Sequence, residues 1–150
     1  MIAQCASWAC LFDERPIPQH IVCGSPNQSW HTKPDAVYLS ELMGKVIIVD
    51  QLVPYDGNIE QSCEAKVERY DWLREPLSAY TGVPVSEVVV LPIAVGAMGA
   101  VPQKVVDNLV DLSFPHAEVM KAVKKASAAA VESTCNIVRA RTQTIKSRYL

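Results

Sequence analysis

Asp35 and Asp50 are the two residues of this chain best placed to do chemistry together, with fourteen residues between them. Asp35 follows Pro34, and Asp50 closes the run Val46-Ile47-Ile48-Val49. That β-branched apolar run has the composition of a fully buried strand. A strand so buried should not end in a carboxylate unless the carboxylate is paired or used. Two aspartates on adjacent strands can converge on one divalent cation, and oxygen ligands suit Mg²⁺ or Mn²⁺. On a phosphodiester, such a cation generates a nucleophilic water and stabilises the charge of the transition state.

The elements that would position this pair follow from periodicity and turn residues. Residues 35–40 and 45–53 read as a hairpin turning near Met43-Gly44. Pro54 ends its second strand, and Asp56-Gly57-Asn58 is a turn. A helix is expected from Ile59 to about Tyr70, with Ile59, Cys63, Val67 and Tyr70 on one face. Pro76 and Gly82-Val83-Pro84 close that section. Val88 to Leu91 reads as a second buried strand continuing to Val95, and Gly96 and Gly99 flank a turn into a helix near Pro102–Asp111. A long final helix is expected from His116 to Tyr149. At the N-terminus, Trp8, Cys10, Leu11 and Phe12 read as a short helix ended by Pro16 and Pro18, with a short strand at His20–Cys23. Alternating apolar strands and helices imply an α/β sheet covered on both faces.

Composition bounds the class. The chain has 150 residues, enough for one domain with a real core, and its 49% hydrophobic and 20% charged content describes a globular protein. No apolar stretch approaches the ~20 residues needed to span a bilayer, and no membrane partner is expected. No secretory signal is evident, and the five cysteines, an odd number, suit a reducing compartment. The net charge of -2 hides an asymmetry. Residues 1–115 carry 7 Lys/Arg against 14 Asp/Glu, whereas residues 116–150 carry 7 against 2. A basic final helix on an acidic body can suit a nucleic acid, although from charge alone a solvated basic helix is the better reading.

Lys33-Pro34-Asp35, Ile48-Val49-Asp50, Val53-Pro54, Asn58-Ile59, Lys66 and Tyr70 form an ordered series, followed by Pro92-Ile93-Ala94-Val95-Gly96-Ala97-Met98-Gly99. This series resembles the restriction-like endonuclease domain at the C-terminus of site-specific non-LTR retrotransposon polyproteins, over about residues 31–110. The resemblance implies an α/β fold, a restriction-endonuclease-like mixed sheet core flanked by helices, here with a basic C-terminal helix over about 116–149. It implies a single Mg²⁺-dependent DNA endonuclease domain, with Mn²⁺ as a substitute. Asp35 and Asp50 would hold the metal, with the Gln51 backbone carbonyl as a further ligand. The wider superfamily places a lysine two residues after the second acid, and Leu52 stands there instead. Lys66, in a K-x-x-x-Y pattern with Tyr70, would take that lysine's role from the following helix. The implied product is nicked DNA whose 3′-hydroxyl primes reverse transcription. The implied partners are DNA and the reverse transcriptase domain of the same polyprotein, and the implied location is the nucleus.

Other residues carry two readings each. Glu14 could be an upstream accessory acid or an exposed glutamate; His31 could lie near the scissile phosphate or in an idle loop. Tyr70 could assist the site or simply fill the core. Trp30 could stack on an unpaired base or pack. Lys33, Lys121, Lys124, Lys125, Arg139 and Arg141, with Lys146 and Arg148, could contact a DNA backbone without reading bases. Gly96 and Gly99 could admit a phosphate backbone, but no P-loop lysine follows, which favours a tight turn. Cys5, Cys10, His20 and Cys23 lack the C-x2-C spacing of most zinc modules, and the three cysteines read better as buried or free thiols. The final helix could pair with a copy of itself to form a homodimer. The rival functions are a non-cutting DNA- or protein-binding domain of the same fold, and a junction-resolvase-like nuclease acting as a dimer on branched DNA. A small-molecule enzyme is more distant, because no glycine-rich loop follows the first strand.

Overall fold

The computed structural model describes residues 8–13 and 33–149. Four strands form one mixed sheet: β1 (Ala9–Asp13), β2 (Ala36–Ser40), β3 (Lys45–Leu52) and β4 (Val88–Ala94), in that spatial order. Four helices flank it: α1 (Ile59–Asp71), α2 (Arg74–Thr81), α3 (Gln103–Asp111) and α4 (His116–Tyr149). This is the expected mixed α/β architecture with a long C-terminal helix.

β2 and β3 pair antiparallel with Ala36 opposite Val49 and Ser40 opposite Lys45. The turn between them uses Gly44 at φ 60°, and the buried Ser40 hydroxyl accepts the Met43 amide. β4 then pairs parallel to β3, Val46 to Val88 through Leu52 to Ala94, and the helices α1 and α2 make the crossover. Pro92 is accommodated because β4 lies at the edge of the sheet, where a missing amide costs no ladder bond.

Both faces of the sheet are covered. Val46, Ile48, Val37, Val88 and Val90 pack with Tyr70, Leu73 and Leu77 of the α1–α2 layer. Ile47, Val49 and Leu91 pack on the other face with Leu112 and the half-buried Leu109 from the α3 side. The run Val46–Val49 thus buries residues alternately on two cores, each contributing about 1.5–3 kcal/mol of apolar burial.

Three expectations change. Residues 9–13 form a strand against β2, not a helix, because an edge partner was available and five residues are too few to nucleate a helix. A bulge between Cys10 and Phe12 lets the neighbouring Leu11 and Phe12 both reach the α1–α2 core. Arg74–Thr81 is a helix where the sequence suggested only closure. Pro76 sits in its first turn, where an amide would lack a partner anyway. On α1 the buried face is Ile59 and Tyr70, with Cys63 and Lys66 half-buried and Val67 outside it. The strand expected at His20–Cys23 lies outside the described residues.

Candidate active site

The β2–β3 register ends at Ala36 opposite Val49, so its continuation sets Asp35 opposite Asp50. Asp35 lies just beyond the last ladder pair, and its Oδ2 accepts the Gln51 amide at 2.6 Å. The carboxylate therefore stands in for the strand that has just ended and is held against the neighbouring chain. It remains exposed to solvent. Asp50 is 3% exposed and points, like Val46 and Ile48, toward α1.

A buried carboxylate needs a partner, and α1 supplies it. The Lys66 ammonium lies against Asp50 Oδ2 as an ion pair, with the lysine side chain 24% exposed. Oδ2 itself is buried, and the Lys66 ammonium is the partner that rests on it. The aspartate is thus neutralised in charge by a lysine from the neighbouring helix. One helical turn further, the Tyr70 hydroxyl donates to the Lys33 carbonyl at 2.6 Å, tying α1 to the residue two before Asp35. Tyr70 is pushed up to about 12, first by burial and then by the charge of Asp50, with Asp35 adding a smaller push. It is a neutral donor at ordinary pH. Lys66 also lies 6.0 Å from the centre of the Tyr70 ring, within cation–π range.

Asp35, Asp50, Lys66 and Tyr70, drawn from three segments of the chain, therefore meet at one end of the sheet. Gln51 is exposed beside them, and Lys33 is exposed two residues before Asp35. Two carboxylates, one exposed and one buried against a lysine, match in number and type the one or two carboxylates through which Mg²⁺ usually binds with several waters. Among the described residues no three His, Cys, Asp or Glu side chains cluster, so an all-protein cage of the zinc or calcium kind is not built there. Glu14, His31, Trp30, Cys5, His20 and Cys23 lie outside the described residues. Cys10, Cys63 and Cys135 are free thiols.

Beside Lys66 runs an open cleft of about 330 Å³, with Leu52, Val53 and Pro54 on one wall and Ser62, Ala65, Lys66 and Arg69 on the other. Sequence reasoning assigned Arg69 no part. Its signal was the spacing Ser62, Lys66, Arg69, which is i, i+4, i+7 on one helix face.

The basic residues of α4 are elsewhere. Lys121, Lys124, Lys125, Arg139 and Arg141 are all exposed along that helix. The Gly96–Gly99 loop proves to be a mount for α4. Ser127 donates to the Gly99 carbonyl and Thr134 to the Ala97 carbonyl, each at 2.7 Å. Asp56 accepts the Met98 amide at 2.8 Å, and a Cβ at Gly96 would sit 2.2 Å from the same carboxylate oxygen. Gly99 is at φ 91° with its missing side chain facing Ser127 and Val131. Comparison with protein-family models and with curated proteins found no match.

Proposed function

We propose that this chain is a divalent-metal-dependent DNA endonuclease domain, of the restriction-like type carried by non-LTR retrotransposon polyproteins. The observation that carries the reading is the arrival of Lys66, from α1, against the buried Oδ2 of Asp50. Lys66, sixteen positions along the chain, would take the role of the lysine that is missing two residues after Asp50.

Asp35 and Asp50, with the Gln51 carbonyl, would hold Mg²⁺. When bound, the ion supplies an acidified water and neutralises charge on the leaving 3′-oxygen. Lys66 places a positive charge where negative charge gathers on the phosphorus-bound oxygens during in-line attack. Its side chain is partly solvated beside Asp50, so a phosphate arriving there would meet the same ammonium. The Tyr70 hydroxyl holds the Lys33 carbonyl and so fixes the start of β2, which carries Asp35. Water adds to phosphorus, the bond to the 3′-oxygen breaks, and that oxygen takes a proton to leave a 3′-hydroxyl and a 5′-phosphate. In its polyprotein setting that 3′-hydroxyl would prime the reverse transcriptase domain, in the nucleus. The exposed basic residues of α4 would add backbone contacts along the duplex.

A supercoiled-plasmid nicking assay tests the reading with wild type, Asp35→Ala and Asp50→Ala in Mg²⁺, Mn²⁺ and EDTA. Nicking that requires metal and disappears in both variants is expected. Wild-type protein of verified fold that nicks no more than the variants would overturn it.

A further inference from the structure

We propose that the cleft between α1 and residues 52–54 binds a second phosphate of the same DNA strand, next to the one being cut, with Arg69 as its principal ligand. The inference rests on the nuclease reading for the identity of the strand, and on the cleft itself for the site.

Lys66 is the shared wall. Its ammonium meets Asp50, while its flank lines the cleft. Arg69 follows by three residues and Ser62 precedes by four, so the three side chains form one stripe along the helix, each about one turn of ~5.4 Å from the next. That step suits neighbouring phosphates along an extended strand. The facing wall, Leu52, Val53 and Pro54, is apolar. A cationic stripe opposite an apolar wall matches the two-sided chemistry of a nucleotide, whose phosphate takes the charge and whose sugar and base edge take the apolar contact.

The two arginines of this region differ in how their donors are used. Arg74 is consumed by the fold: its Nε donates to the Val88 carbonyl at 2.8 Å, and its terminal nitrogens reach the Val85 carbonyl and Asp71. Arg69 makes no hydrogen bond or ion pair among the described residues and stands at the cleft with its planar fork of donors free. Such a fork fits two oxygens of one phosphate. Ser62, half-buried in the same wall, can donate to a third.

The test measures binding without cleavage. Fluorescence anisotropy of a labelled 15-mer, single-stranded and duplex, is followed in EDTA across a salt series for wild type, Arg69→Gln, Arg69→Lys and Lys45→Gln. Lys45 pairs with Glu87 at the opposite end of β3 and serves as the charge control. Arg69→Gln is expected to weaken binding about tenfold, the loss typical of a charged hydrogen bond. It should make the salt slope shallower by about one phosphate contact. Arg69→Lys should recover part of the affinity, which a folding defect would not, and Lys45→Gln should bind as wild type does. Equal binding by wild type and Arg69→Gln, equal losses in Arg69→Gln and Lys45→Gln, or no wild-type binding would overturn the proposal. A wild-type protein that fails to nick in Mg²⁺ but shows this Arg69 pattern in EDTA would remove the nuclease reading and keep the phosphate site. Metal-dependent nicking with binding indifferent to Arg69 would do the reverse.

Discussion

The Asp50–Lys66 end of the sheet and the Gly96–Gly99 loop are both places where distant segments meet through polar groups, yet they are built to opposite rules. In the loop every contact is completed. Asp56 accepts the Met98 amide, and Ser127 and Thr134 reach the Gly99 and Ala97 carbonyls. Gly96 is bare because any side chain would occupy the place of the Asp56 carboxylate. At Asp50 the buried oxygen rests instead on one ion-pair partner, Lys66, whose side chain is partly solvated. A scaffold satisfies its buried polar groups because leaving them open is costly. A buried carboxylate held by a single partly solvated lysine is the less fixed of the two arrangements, and it is the one the nuclease reading uses.

The sharpest way to break this comparison is to replace one group in each region and read activity and stability separately. Asp50→Asn should lower metal-dependent nicking by more than about 10³-fold, some 4 kcal/mol of barrier, while the fold persists. Its amide keeps the side-chain shape, and the released Lys66 can be hydrated. Gly96→Ala should leave nicking near wild type below its unfolding temperature and should lower stability by about 1–3 kcal/mol in urea titration, because the added Cβ displaces Asp56.

Within the site, Lys66→Met should cost more stability than Asp50→Asn. Removing the lysine strands a buried carboxylate, worth about 3 kcal/mol, whereas removing the carboxylate strands only a lysine that water can reach. Chemical denaturation of both variants at neutral pH checks this ordering, and equal losses would mean that Asp50 is not carried as a buried charge.

Tyr70→Phe gives a smaller effect, about 1 kcal/mol at neutral pH, from loss of the bond to the Lys33 carbonyl. Its pH dependence has a defined sign. The Tyr70 hydroxyl titrates at about 12 in the folded chain against 10.0 for an ordinary tyrosine. The folded state holds its proton longer, so the stabilisation is complete below pH 10 and is lost as pH rises from 10 to 12. Denaturant midpoints of wild type and Tyr70→Phe should therefore converge on going from pH 8 to pH 11. The smallest expected change is Ser127→Ala, about 1 kcal/mol or less with nicking retained, since α4 keeps its second anchor at Thr134.

Much of this molecule is decided within short stretches of chain. The β2–β3 hairpin, β4 and the helices beginning near Ile59, Gln103 and His116 all follow from local runs of β-branched residues, helical periodicity and breakers such as Pro54 and Phe114-Pro115. The opposition of Asp35 and Asp50 follows as well, because hairpin register is set by the turn at Gly44 and by which face is buried. Tertiary structure decided the rest. The segment 9–13 became a strand because β2 offered it an edge, and α2 formed because Leu77 could be buried against the sheet. Lys66 became the partner of Asp50 only once the crossover laid α1 over β3. The same docking turned Tyr70 from a core aromatic into the hydroxyl that holds Lys33, and left Arg69 facing the cleft. Periodicity states which face of a helix is apolar, but Ile59 and Tyr70 alone are compatible with several rotations of α1. A long-range ion pair and a buried hydroxyl depend on packing between elements, and that information is distributed over both partners and legible in neither alone.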